Sequence, residues 1–273
     1  MTFGPTFSAL QNEGFLAQGC LAAGLTALRN AQFPDKATFY TGFFQLSTAL
    51  ERVLKLVLII EHMRKNSFSP PSKEKIERPG HNLVRLYNDC EPIASAIGVT
   101  SFVVPAIGSL EAQILNFLSE FAKKSRYYNL DSLASTPSGY GDPLVAWDAI
   151  LSQVLEFDVP SQKRYRHEAQ AKAIHDLIEN SIYVQQHGMD GRLLSSENAF
   201  VLPAQHEIAT PYAMVRVFAV IRPALSLLGE IARQACDYNL RTDRSAHHVP
   251  YMNEFFQLFD GSPAEIRRKK RWP

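Results

Sequence analysis

Eight apolar residues, Phe39, Phe43, Leu46, Leu50, Val53, Leu54, Val57 and Leu58, follow one another at mostly three- and four-residue steps. That spacing sets them on one face of an α-helix; the two-residue period of a half-buried strand would scatter them over both faces. Glu51 and Lys55 stand four apart, in the order that favours a helical ion pair. The period predicts a helix from about Lys36 to Arg64, stopped before Ser69-Pro70-Pro71.

The same period recurs along the chain. A helical stretch from Phe15 to Arg29 precedes the long helix, although Gly14, Gly19 and Gly24 weaken it. Leu83, Val84, Tyr87 and Cys90 predict a short helix, and Pro92 to Val99 can add a turn or two. Pro105 suits a first helical position, and the face continues through Leu110, Ile114, Phe117, Leu118 and Phe121 to about Arg126. Asp142-Pro143 is a cap-plus-proline start. Ser161 can cap a helix carried by Ile174, Leu177, Ile178 and Ile182. Residues 187–209 lose the period, and Phe200-Val201-Leu202 reads as a short extended piece. Thr210-Pro211 starts another helix, which Pro223 should kink or split. Met252, Phe255, Phe256 and Phe259 make a last short helix, too short to stand alone, which must dock on its own core or on a neighbouring subunit.

No alternation of strand length occurs. The expected fold is all-α, a helical bundle of about eight helices. Two helical halves, residues 1–135 and 142–260, are expected to join near residues 131–142, where Thr136 to Gly141 is the best linker, and a basic tail follows at 261–273.

Composition excludes several classes. Hydrophobic residues make up 46% and charged residues 20%, which a disordered chain does not show. Cys20, Cys90 and Cys236 are far apart, odd in number and without a CxxC, so they predict reduced thiols in a cytoplasmic protein. The first residues lack a basic region, so no signal peptide is expected. The apolar stretches 53–60 and 212–232 are broken by charge, so no membrane span is expected. Of 28 basic residues, five lie at Arg267, Arg268, Lys269, Lys270 and Arg271; the other 23 stand against 27 acidic ones. The body is therefore no basic platform, and the tail reads either as a solvated, frayed end or as a group of cations for phosphates or anionic surfaces.

No motif of high specificity carries chemistry. There is no Walker loop and no Gly-x-Ser-x-Gly elbow; Gly139-Tyr140-Gly141 lacks a third glycine and a βαβ context. His167-Glu168 and His175 are not HExxH, because the second histidine is eight residues on, so they read as two solvated helical histidines. Neither they nor His247-His248 predict a metal site, and no cofactor is expected.

Three polar clusters remain. Arg78 and His81 lie beside Gly80 and Asn82 before a helix; they either meet a phosphate at its N-terminus or merely cap and pack it. Arg126, Tyr127 and Asn129 follow Lys123 and Lys124 at a helix end. They suit a ligand corner facing the Gly80-His81 helix start, or else an internal Arg126–Asp131 pair with Asn129 as C-cap. Arg241 and His247 share a polar loop and could stabilise and protonate a phosphate transition state, or simply make that loop polar.

Ala49 to Leu58, a polar connector, and then Gly80-His81-Asn82-Leu83-Val84-Arg85-Leu86 resemble the HEPN superfamily, helical nucleotide-binding domains of higher eukaryotes and prokaryotes. Its members often carry Glu and Lys four apart on a helix, followed by a Gly-His-Asp/Asn-Leu-x-x-Leu helix start. The likeness covers about residues 36–130. It implies a bundle that is often dimeric, found in defence or toxin–antitoxin settings, and in many members a metal-independent RNase with an arginine and a histidine four to six residues apart. Arg78 and His81 have only two residues between them. Arg241 and His247 have five, but lie outside the segment, and Thr242 follows the arginine where the family has Asn, Asp or His. The leading expectation is thus a homodimeric HEPN-like protein binding RNA, a nucleotide or a partner protein at Arg78, His81, Arg126, Tyr127 and Asn129. The alternatives are an endoribonuclease using Arg241 and His247, and a scaffold without ligand chemistry.

Overall fold

Two long helices, α1 (Pro5–Asn30) and α2 (Lys36–Lys65), form an antiparallel hairpin in the computed structural model. The structure describes residues 2–33, 35–137, 139–178, 181, 183–242 and 246–273. Pro5 opens α1, and the Asp35 carboxylate accepts from the Thr38 amide to cap α2. Arg52 of α2 pairs with Glu13 of α1, and Leu28 lies against Gly42, which sets the register. The remaining elements are α3 (Lys73–Glu77), α4 (Leu83–Ile97), α5 (Leu110–Lys123), α6 (Tyr128–Asp131), α7 (Pro143–Phe157), α8 (Ser161–Ile178), α9 (Asn198–Thr242), α10 (Asn253–Phe256) and α11 (Pro263–Arg268). The fold is all-α, with eleven α-helices among the described residues, seven of them long. The strand content there is one parallel pairing of two residues, Thr2–Phe3 (β1) with Ala246–His247 (β2).

The long helix predicted from the period is α2, which ends one residue later than expected. Its buried face meets an aromatic cluster. Phe43 is fully buried and lies 4.7 to 6.4 Å, centre to centre, from the rings of Phe39, Tyr40, Phe117, Phe121 and Trp147. Trp147 arrives on α7, whose start is the expected one: the Asp142 carboxylate accepts from the Leu144 amide at 2.8 Å, with Pro143 in the first turn.

Helix α9 corrects the reading of residues 187–223. Phe200-Val201-Leu202 is helical, Thr210-Pro211 is internal instead of a start, and Pro223 does not split the helix. Each internal proline costs about 3 kcal/mol in an isolated helix. Here tertiary burial outweighs that cost: Ala213, Met214, Val217, Val220, Ala224, Leu227 and Leu228 are all essentially inaccessible. Helix α9 packs on α2, α4 and α5 as well as on α7 and α8, and the Tyr87 hydroxyl of α4 donates to its Val220 carbonyl. Arg216 adds a polar tie, forking across both oxygens of Asp158 and reaching Glu111 at 2.7 Å.

Other boundaries shift for local reasons. Ser109, whose hydroxyl accepts from Ala112, caps α5; Pro105 lies before the helix. Helix α8 is carried by Ala171 and His175, while Ile174 and Leu177 face solvent, and Ile182 lies outside the described residues. His175 is therefore buried, with Ser196 within hydrogen-bond range, and is not a solvated histidine. The aromatics around α10 dock on their own chain: Phe255 meets Phe15 edge-on at 4.8 Å, and α10 packs on α1 and α9.

The basic tail is folded and not frayed. Ser262 and Glu265 form a capping box for α11. Ile266 and Trp272 are buried, the Trp272 ring lies 5.9 Å from Phe218, and its amide donates to Thr26 at 3.0 Å. The Lys270 carbonyl accepts from Asn30 at 2.7 Å.

Candidate functional site

A cleft of about 470 Å³ opens between the C-terminal turns of α2, the short α3 and the face of α4. Leu58, Ile59, Ile76 and Ile93 give it an apolar lining; Lys55, Lys65, Lys75, Arg78 and Arg85 give it cations. The only carboxylates among its lining residues are Glu61 and Asp89. Glu61 is already engaged by Lys65 at 2.6 Å and Arg64 at 2.9 Å, and Asp89 stands 3.8 Å from Arg85. Among the described residues, no carboxylate lies within ion-pair range of Lys75 or Arg78. The cleft thus carries positive charge that its own lining does not balance.

The walls follow from the sequence. Lys55, His62 and Lys65 share a side of α2 because they are seven and ten residues apart. Ser72 caps α3, a five-residue helix with no buried residue. Lys75 donates to His62 Nδ1 at 2.8 Å and pins α3 across the cleft. The turn after α2 holds Ser67 and Phe68 at φ of 50° and 60°, left-handed values that a non-glycine residue adopts only with compensation. The Phe68 ring supplies it, stacking on His248 at 4.7 Å and meeting Tyr238 at 5.9 Å.

Of the sequence-predicted residues, Arg78 lines this cleft. His81 does not; it is held against Glu51 Oε2 at 2.9 Å, and Lys55 takes the other oxygen at 2.8 Å. The Glu51–Lys55 spacing and the Gly80-His81 start are therefore joined through one carboxylate. The α4 N-terminus is closed to an anion. Asn82 accepts from the Arg85 amide at 3.1 Å, and the Ser119 hydroxyl accepts from Leu83 at 3.0 Å.

Arg126, Tyr127 and Asn129 lie elsewhere. Arg126 stacks on Tyr127, 4.9 Å to the ring centre, beside Tyr40, Phe44 and Gln45 in a shallow cavity of about 380 Å³. Asn129 belongs to α6, so it is no C-cap; Lys124 is. Its amide donates to the Tyr40 hydroxyl at 3.1 Å, and it lines a different cavity with Asp142 and Asp190. Burial pushes the Tyr40 hydroxyl up to about 12, so it stays a neutral hydrogen-bonding group. Arg126 lines a cavity with Phe44 of α2, whereas His81 is bonded to that helix at Glu51, seven residues or about 10 Å along it. The expected convergence of Arg78, His81, Arg126 and Asn129 on one cleft does not occur.

Arg241 is exposed in the last turn of α9. His247 pairs with Phe3 in the β1–β2 ladder and stacks on its ring at 5.5 Å. Asp243, Arg244 and Ser245 between them lie outside the described residues. Among the described residues, no group of three His, Cys, Asp or Glu side chains is arranged to hold a metal ion, and no helix is long and apolar enough to cross a membrane.

No protein-family model, curated protein or solved structure matches the chain.

Lys65, Lys75 and Arg85 were missed as site residues. Their sequence signal was present: cations at matching turns of two helices, with a third on the connector between them. Only the packing of α2 against α4 shows that all three face one volume.

Proposed function

We propose that this chain is a HEPN-like helical protein that binds a phosphate-bearing ligand, a nucleotide or an RNA end, in the α2–α3–α4 cleft, and binds it without cleaving it. The observation that supports this reading is the charge of the cleft: five cationic side chains line it, and while Lys55, Lys65 and Arg85 pair with Glu51, Glu61 and Asp89, no carboxylate among the described residues lies within ion-pair range of Lys75 or Arg78. Its volume falls in the range of small-ligand pockets, about 300–1,000 Å³. Arg78 brings a planar fork suited to phosphate, and Lys75 and Arg85 approach the same space from other walls. All three cysteines are free, in keeping with a cytoplasmic setting.

Titration calorimetry with nucleoside mono-, di- and triphosphates tests the reading. Affinity is expected to rise with phosphate count and fall with salt. Arg78→Ala is expected to weaken binding by at least about tenfold, the cost of one charged hydrogen-bonding partner, at an unchanged melting temperature. Nucleotides that release no heat and protect against no thermal unfolding would remove the proposal. RNA incubated in EDTA is expected to stay intact. Cleavage that survives EDTA and disappears in His247→Ala would establish the endoribonuclease instead.

A further inference from the structure

Tyr212 on α9 lies beneath two cations from distant parts of the chain. Lys163 of α8 is 5.3 Å from the ring centre and Arg267 of α11 is 5.1 Å from it. This places the start of α8, with Lys163, Arg164 and Arg166, beside the segment Arg267 to Arg271. Among the described residues, no salt bridge engages Lys163, Arg164, Arg166, Arg267, Lys270 or Arg271. Two nearby acids are committed elsewhere: Glu265 closes the α11 capping box and Glu168 pairs with Lys172. The Arg29 guanidinium reaches the Arg267 carbonyl. Like charges gathered this closely repel, and an added anion relieves them.

The Arg267 and Lys270 carbonyls accept from Arg29 and Asn30, and the amide of Trp272, just after the segment, donates to Thr26, so its cations sit on a folded support. Arg268, Lys270 and Arg271 are exposed. Tyr165, flanked along α8 by Arg164 and Arg166, is 78% exposed, on the opposite side of the helix from Lys163. An accessible ring flanked by cations is the arrangement that stacks a base while neighbouring groups hold phosphates. A bilayer is a poorer match, because an interfacial segment needs an apolar face, and the apolar groups here, Ile266 and Trp272, are buried at 3% and 4% exposure. We propose that the first turns of α8 and the Arg267–Arg271 segment form a second surface, which binds the backbone of single-stranded nucleic acid and stacks a base on Tyr165. Tyr212 joins its two parts.

This surface adjoins the end of α1 at Asn30. The cleft sits at the far end of the α1–α2 hairpin, about 30 Å away along α2. The two sites are therefore separable by experiment. Fluorescence anisotropy with a labelled oligouridylate of about twenty nucleotides is the assay. Binding is expected at about 50 mM salt and should weaken steeply as salt rises. The triple variant Arg268→Ala, Lys270→Ala, Arg271→Ala should lose at least about tenfold in affinity, and its salt slope should fall by roughly 2, at about 0.7 per phosphate contact. Tyr165→Ala should lose about tenfold at an unchanged slope, and Tyr165→Phe should restore it.

Several results would overturn the second surface. One is no oligouridylate binding at low salt. Another is binding insensitive to both the triple variant and Tyr165→Ala. A third is binding lost only in Arg78→Ala, which would leave the cleft proposal standing alone. Capture by phosphatidylserine vesicles without oligouridylate binding would assign the patch to a membrane surface. Should the triple variant melt early, the Tyr165→Ala and Tyr165→Phe pair on the exposed face of α8 decides.

Discussion

Phe43→Ala lowers the unfolding free energy by about 4 kcal/mol, within the range for removing a buried aromatic ring. Phe43 is inaccessible to solvent and five rings surround it, drawn from α2, α5 and α7. Rigid neighbours on three helices cannot close the space together, so the cavity persists. At about 2–4 °C per kcal/mol for a chain of this size, the midpoint should fall by roughly 8–16 °C. Differential scanning fluorimetry and urea titration check it. A loss under about 1 kcal/mol would show that the three helices collapse into the void and that the cluster is not the centre of the core.

Two glycines of one helix respond in opposite directions. A Cβ at Gly24 would stand 2.9 Å from the Leu46 amide nitrogen of α2, which is backbone and cannot turn aside. Gly24→Ala therefore pushes the hairpin apart and should cost about 1–3 kcal/mol, the usual cost of overpacking, less the helix propensity gained. Gly19 is exposed and a Cβ there meets nothing within 4 Å. Gly19→Ala should instead stabilise by about 0.5–1 kcal/mol, because alanine loses less backbone entropy in a helix. Urea midpoints measured on both variants settle the signs. If Gly24→Ala proves neutral or better, α1 and α2 are not in close contact there.

The same pair shows why the glycines misled the reading of α1. In sequence, Gly14, Gly19 and Gly24 only lower helix propensity. In the structure α2 approaches closely at Gly24, and α1 does the same at Gly42, where a Cβ would stand 3.2 Å from the Leu28 amide nitrogen. Propensity is a local quantity of less than about 1 kcal/mol, and burial of the whole helix face outweighs it. The three prolines of α9 teach the same lesson with a larger local cost. Residues 187–209 read as aperiodic, punctuated by Gly188, Gly191 and Pro203, and Thr210-Pro211 read as a helix start, yet Ala199, Val201, Ile208 and Ala209 are buried in one continuous helix.

The candidate site was partly legible. Arg78, singled out for a phosphate at the start of α4, lines the α2–α3–α4 cleft instead, because a basic connector between two capped helices is a local pattern and the wall it joins is not. His81 was misassigned, because its partner Glu51 stands thirty residues earlier on another helix. Arg126 and Asn129 were expected at the same corner as His81. They follow the end of α5, and where that end meets α2 depends on how the two helices cross, which no spacing encodes.

By itself the sequence determined the helical class, the length and buried face of α2, the capped start at Asp142, and the excess of charge at residues 267–271. Each of these depends on groups within about two helical turns, where periodicity, capping and charge act directly. Only the tertiary structure decided that α9 runs through its prolines, that the basic tail is folded down by Trp272, that five cations from α2, α3 and α4 share one cleft, and that Lys163 and Arg267 meet over Tyr212. Those outcomes depend on which faces of distant helices bury each other. Burial is non-directional and roughly proportional to area, so the local pattern states that a face must be covered and leaves its partner to the packing of the whole chain.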